Sequence, residues 1–198
     1  MANNTIVLYI RLLFTMAVQL YTSRLVLQAL GVEDFGIYNV VGGVIAMLNF
    51  VNMSLSNANS RFMAVEIGLG SKNNLRNLFS CIMSIHWLFA ALILVFAETF
   101  GLWFVTTQLV IPHERMIAAI WVYQSAVLTS IITIISSPYN GLIIAHEKMS
   151  AFALISIFDA ISKFIVAVLL FYSSIDRLIL YSVLYVVIQL ILYYYIKN

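Results

Sequence analysis

Apolar runs of twenty or more residues alternate along this chain with short polar interruptions. A helix needs about 20 apolar residues to cross roughly 30 Å of hydrocarbon. Six runs meet that need: Thr5–Leu30, Phe35–Ser60, Leu78–Val105, Met116–Ser136, Ser150–Phe171 and Leu178–Ile196. Membrane-spanning strands would instead show segments of about 10 residues with alternating polarity. These runs are apolar on all sides, which predicts helices. The expected fold is an all-α integral membrane protein, a six-helix transmembrane bundle forming a single domain over residues 1–198. The shortest interruption, Gly31-Val32-Glu33-Asp34, predicts a tight hairpin between the first two helices. Arg61 to Ser80 reads as the most polar connector, and Pro138 with Gly141 predicts a break after the fourth helix.

Composition strengthens this reading. The chain has 198 residues, 63% of them hydrophobic and 9% charged, against roughly 25% charged in soluble domains. A single cysteine, Cys81, excludes an internal disulfide and any four-cysteine metal site. The ten basic residues are scattered singly, so the net charge of +2 makes no nucleic-acid patch. The N-terminal run lacks a preceding basic region and a cleavage signal, which predicts a retained first helix rather than a signal peptide. With both termini on the cytoplasmic side, the inner face collects Arg11, Arg61, Lys72, Arg76, Lys148 and Lys197. The outer face then holds Arg24, Arg115 and Arg177 with the acidic Glu33, Asp34, Glu98, Glu114 and Asp176. That asymmetry follows the positive-inside rule.

Two apparent motifs carry no chemistry. Gly68-Leu69-Gly70-Ser71-Lys72 lacks the spacing of a phosphate loop and follows no strand. His113-Glu114-Arg115-Met116 and His146-Glu147-Lys148-Met149 each lack the second histidine of a zinc motif; Ile117 and Ser150 stand in its place. No metal, no cofactor and no nucleophile–base pair is expected, and so no enzyme activity.

The informative polar residues lie inside the apolar runs. Arg11, Thr15, Gln19 and Thr22 share one face of the first helix, with Arg24 nearly opposite. Either arginine snorkels to an interface or faces a bundle interior; the polar stripe favours the interior for Arg11 and the interface for Arg24. Asn39, Gly42, Ala46, Asn49, Met53, Ser56 and Ser60 form a regular stripe on the second helix. Such a stripe serves close helix packing, with a polar path as the rival reading. Ser125, Thr129, Thr133 and Ser136 mark a polar face on the fourth helix. His86 in the third helix reads as a hydrogen-bonded interior residue before it reads as a proton relay. Asp159 and Lys163, four apart on the fifth helix, are ordered acid before base, the favourable arrangement. Ionisable groups at mid-span are functional by default, although a structural ion pair fits the same spacing.

Three stretches resemble a known family. They are Arg24 to Gly43, Arg61 to Ser80, and Tyr139-Asn140-Gly141-Leu142-Ile143-Ile144-Ala145-His146-Glu147-Lys148. Their order and spacing look like the N-terminal half of a polysaccharide flippase of the multidrug/oligosaccharidyl-lipid/polysaccharide exporter superfamily. The resemblance implies one lobe of a two-lobe exporter fold in a bacterial inner membrane, as a multi-pass protein. It implies a transport cargo, an oligosaccharide on a polyprenyl diphosphate, moved between leaflets for surface polysaccharide (such as lipopolysaccharide) biosynthesis. Arg11 and Lys163, with Arg24 as a further candidate, would hold the diphosphate by charge-assisted hydrogen bonds. Asp159 is the ion-coupling candidate, and Gln19, Asn39 and Asn49 are candidates for a polar path. The rival readings are a drug/cation antiporter of the same superfamily and a non-transporting membrane scaffold. Six helices make one lobe, so the expected partner is a second lobe, in the same chain or as a dimer, besides the lipid-linked cargo.

Overall fold

The computed structural model describes the backbone of residues 2–197, and the side chains of all of these except 2–7 and 48–51. Among the described residues it is helical throughout, with no strand. The first helical stretch, Ala2–Leu69, is broken at Gly31, whose φ of 81° and ψ of 171° belong to a region open essentially to glycine alone. The break separates α1, residues 2–30, from α2, residues 32–69. Next comes α3, Lys72–Phe96, which passes through a π-helical turn at Ala97–Gly101 into Leu102–Thr107. A short 3-10 turn, His113–Arg115, leads into α4, Met116–Ala145. The chain closes with α5, Met149–Leu169, and α6, Arg177–Lys197.

Five stretches are long and apolar enough to cross a bilayer: Leu8–Met47, Lys72–Thr107, His113–Ala145, Met149–Tyr172 and Arg177–Lys197. They mark the chain as a multi-pass membrane protein. The first of them contains the Gly31 break, and the chain reverses there. Arg11 near the start of α1 and Asn57 late in α2 both approach Phe152 of α5, whereas Asp34 lies at the other end, against Arg115. The expected hairpin is present, made by one glycine rather than a four-residue loop.

Three element boundaries differ from the expectation. The segment from Arg61 to Ser80 is not a connector, because α2 continues to Leu69 and α3 starts at Lys72. Only Gly70, at φ 74°, and the N-cap Ser71 interrupt the helices; Ser71 Oγ accepts from the Asn74 amide at 3.4 Å. Polar side chains alone do not end a helix, and the turn comes where glycine permits a left-handed residue. Pro138 and Gly141 likewise sit inside α4 instead of ending it. A proline removes one backbone bond, which neighbouring helices and serine or threonine hydroxyls offset in a membrane bundle. Gly141 serves contact: a methyl group added there would lie 3.3 Å from Ser60 Oγ on α2.

α4 is the centre of the bundle. In its most apolar window 44% of residues are buried, against 22% in each of the other four stretches. It contributes Ala118, Ala119, Val122, Tyr123 and Val127 to a core shared with Ile37, Val41 and Ile45 of α2, with Val105, and with Leu178 of α6. Ile134 and Ile135 pack on Ala90 and Ile93 of α3. A second core joins Val26 and Ala29 of α1 to Val166 and Ala167 of α5 and to Tyr181, Ile188 and Leu192 of α6. Large side chains on the outside, such as Leu13, Leu20, Leu88 and Leu154, are more than 60% exposed, as lipid-facing residues are.

A charged clasp ties one end of the bundle. Arg115, ahead of α4, reaches Asp34 Oδ2 at 3.1 Å and Asp176 Oδ2 at 2.7 Å. The other oxygen of Asp176 caps α6 by accepting from the amides of Leu178 and Ile179. Arg177 donates to the carbonyl of Ala29 near the end of α1 at 2.9 Å. Residues far apart in sequence thereby fix the ends of α1, α2, α4 and α6 together.

The π-helical turn of α3 is keyed to α4. Tyr123 is fully buried, and its hydroxyl donates to the carbonyl of Ala97 at 2.7 Å. That hydroxyl lies directly over Gly101, in the space a β-carbon would need. Replacing a helical glycine by alanine normally stabilises by about 0.5–1 kcal/mol. Here Gly101→Ala is expected to destabilise by about 1–3 kcal/mol through overpacking. Adding Tyr123→Phe, which removes the clashing oxygen, should recover part of that loss despite the lost hydrogen bond. Thermal unfolding of the four proteins in detergent tests this; strictly additive losses would exclude the steric account.

Candidate functional site

A polar cluster between α5 and α6 starts from spacing. Asp159 and Lys163 lie one turn apart on α5, which brings Lys163 Nζ to 2.6 Å from Asp159 Oδ2. Two residues of α6, also one turn apart, complete the group. Gln189 Nε2 donates to Asp159 Oδ1 at 3.1 Å, and Lys163 Nζ lies 4.7 Å from the centroid of the Tyr185 ring. The ion pair is thus wrapped by an amide and an aromatic face, and both side chains keep about a fifth of their surface exposed (18% and 23%). Tyr181 continues the line, 6.2 Å from Tyr185 and edge-on to Tyr38 of α2 at 5.0 Å.

Tyr185 also borders a cavity of about 350 Å³ between α2, α4 and α6. Its wall includes Asn39 and Gly42 of α2, Ser125, Thr129, Ser130 and Thr133 of α4, and Ser182 of α6. A second chamber of about 300 Å³ lies further along the same groove, away from the charged clasp. Asn52, Ser56 and Asn57 of α2, Thr133, Ser137 and Asn140 of α4, and Phe152 of α5 line it. Thr133 borders both chambers.

Arg11 lies against Phe152, one of the residues that line this second chamber. Its Nη1 donates to Ser156 Oγ at 3.2 Å, and its guanidinium lies 4.7 Å over the Phe152 ring. Its Nε is buried without a hydrogen-bond partner among the described residues. Ser156, which Arg11 meets, is three residues from Asp159, which Lys163 meets, so both cations reach the same side-chain run of α5.

The remaining sequence candidates divide. Asn39 is exposed yet borders the first cavity, with its amide donating to Phe35 O at 2.7 Å. Gln19 and Arg24 are exposed on α1. Arg24 is thirteen residues beyond Arg11, or about 20 Å along the helix. The Asn49 side chain lies outside the described residues. Of the α2 stripe, Asn39, Gly42, Ala46, Met53 and Ser56 border open grooves while Ser60 packs against Gly141.

His86 is an interior residue, 1% exposed. Its Nδ1 lies 3.0 Å from the carbonyl of Ile82 and its Nε2 lies 3.3 Å from Asn59 Nδ2. A carbonyl can only accept, so Nδ1 carries the proton and Nε2 accepts from the amide. Both ring nitrogens are committed in the neutral form. Gln189 and Asn59 were the partners that spacing did not single out, and among the described residues no group of three acidic, histidine or cysteine side chains is placed to hold a metal.

No family model, curated protein or solved structure matches the chain.

The ion pair should behave as a unit. Lys163→Leu alone leaves Asp159 held only by Gln189, and is expected to cost about 1–3 kcal/mol, below the range for fully buried pairs because solvent still reaches both groups. Lys163→Leu combined with Asp159→Asn should cost less than the single change. Unfolding midpoints in one detergent measure the difference, and equal losses would show that the two groups are not coupled.

Proposed function

We propose that this chain is one lobe of a lipid-linked oligosaccharide flippase, the reading that its sequence resemblance implies. The observation that carries it furthest is an open groove along α2 and α4 that sets hydroxyls and amides among apolar side chains, on a bundle whose outer surface is otherwise apolar. A bundle that only fills a membrane has no need for such a face, because polar groups removed from water cost free energy unless partnered. Cargo with a polar head and a hydrocarbon tail needs both surfaces.

In this reading no covalent bond is made or broken. Arg11, at Ser156, and Lys163, at Asp159, attract the diphosphate from neighbouring positions on α5. Lys163 would exchange Asp159 for a phosphate oxygen, and Arg11 would use the Nε that has no hydrogen-bond partner among the described residues. Arg24, exposed and remote, has no part in it. The protein resides in a bacterial inner membrane with both termini cytoplasmic, which puts the clasp of Asp34, Arg115 and Asp176 outside. A second lobe, in cis or from another copy, faces this one.

Sealed proteoliposomes carrying a short polyprenyl-diphosphate saccharide test the reading, with an impermeant diol oxidant reporting which leaflet holds the sugar. Exchange between leaflets is expected, and Arg11→Gln or Lys163→Gln should each slow it by about tenfold or more, the worth of one charge-assisted hydrogen bond. Dissipation of an imposed proton or sodium gradient, without sugar movement and lost in Asp159→Asn, would assign the chain to the antiporters instead. Vesicles inert in both assays would leave it a membrane scaffold.

A further inference from the structure

Two side chains of opposite charge stand on the outer wall of the bundle, away from the groove. Arg24 is exposed on α1 and has no ion pair or hydrogen bond among the described residues. Thr22, Val26 and Ala29 mark the buried side of α1. Helical spacing puts Arg24 on the opposite side, beside the exposed Leu20 and Leu27. Glu98 is exposed in the π-helical turn of α3, where its Oε2 accepts from Gln124 Nε2 of α4 at 3.1 Å. Among the described residues no cation reaches that carboxylate. Trp121 and Leu128, on the same side of α4 as Gln124, are both about half exposed.

Depth makes these two charges expensive. α6 carries Arg177 and Lys197 at its ends and only uncharged residues between them. Its 21 residues span about 31 Å, close to the thickness of the hydrocarbon, so the clasp beside Arg177 lies at the hydrocarbon edge. About 10 Å of α1 separates Arg24 from the break at Gly31, and about 14 Å of α4 separates Gln124 from Arg115. The clasp holds those two ends together. Both charges therefore lie inside the apolar layer, within about one helical turn of the same depth. Ionised groups there face another helix or a wet cavity, and pair with one another. An arginine can reach back towards the interface, but a glutamate is too short to do so.

The two charges belong to different sides of the molecule, since α1 packs on α5 and α6 whereas α3 packs on α4. One copy cannot join its own Arg24 to its own Glu98. Two copies inserted the same way present the pair at matching depth.

We propose that copies of this chain associate in the membrane head to tail, Arg24 of one copy meeting Glu98 and Gln124 of the next. Gln124 keeps its bond to one carboxylate oxygen and the guanidinium takes the other. Apolar neighbours keep water from the pair, which strengthens it. The contact is heterologous, so each copy offers Arg24 on one face and Glu98 on another. This goes beyond the flippase reading and needs neither the groove nor a cargo.

Disulfide cross-linking tests it, with two differently tagged copies co-expressed in one bacterial membrane in a Cys81→Ser background. Leu20→Cys, one turn from Arg24, is placed in one copy and Leu128→Cys, one turn from Gln124, in the other. Leu27→Cys with Trp121→Cys repeats the measurement on the clasp side of the charges; all four sites are exposed. A lipid-soluble copper oxidant is expected to join both pairs. Leu20→Cys in both copies, or Leu20→Cys with the exposed Ile161→Cys of α5, reports chance contact and should stay at background. Arg24→Gln in the first copy, or Glu98→Gln in the second, is expected to lower the cross-linked fraction about tenfold, the worth of one charge-assisted hydrogen bond. Both changes together should lose no more than either alone, because they remove the same contact. No cross-link above background from either pair would overturn the proposal. So would an equal yield from Leu20→Cys in both copies, or a yield indifferent to both neutral substitutions. The leaflet assay plays no part in these results, so the flippase reading and the contact between copies can fail separately.

Discussion

Close approach to α4 is the constraint on which the other helices depend. Lipid tails are as apolar as leucine, so helices in a bilayer gain little from hiding apolar surface from one another and associate through packing and hydrogen bonds. α4 offers small residues on its contact faces: Ala118, Ala119, Ser125, Ser130, Ser136, Ser137 and Gly141 are all buried. Gly141 admits Ser60 of α2, and Tyr123 fits into the gap left by Gly101 of α3. Large apolar side chains, absent from much of these contacts, are turned outward to lipid instead.

Within that frame, polar groups taken from water are mostly held by partners from another helix. Arg115 joins the α1–α2 hairpin to the cap of α6, Gln189 and Tyr185 of α6 hold the α5 ion pair, and Asn59 of α2 meets His86 of α3. Each of these contacts costs little only while both sides are present, since a lone buried charge or amide is expensive. They therefore specify which helices lie together more than they add to stability.

Saturation is not complete: among the described residues Asn52 Oδ1, Ser137 Oγ, Arg11 Nε, Glu66 Oε2 and, at the clasp, Asp34 Oδ1 are buried without a hydrogen-bond partner.

The sequence by itself determined the helices, their approximate places and the contacts made within one turn. The apolar runs could only be spans, and Asp159 with Lys163 was legible because both partners lie on one helix at a spacing that forces them together. The hairpin at Gly31 was legible for a similar local reason. Tertiary structure alone decided the rest. It carried α2 to Leu69 and α4 through Pro138, because neighbours supply what local signals take away. It brought Asp34, Arg115 and Asp176 into one clasp, set Gln189 against Asp159, and set Arg11 against Ser156. Those relations join residues far apart along the chain or on different helices, and helical periodicity fixes a residue's face but not the helix that face will meet.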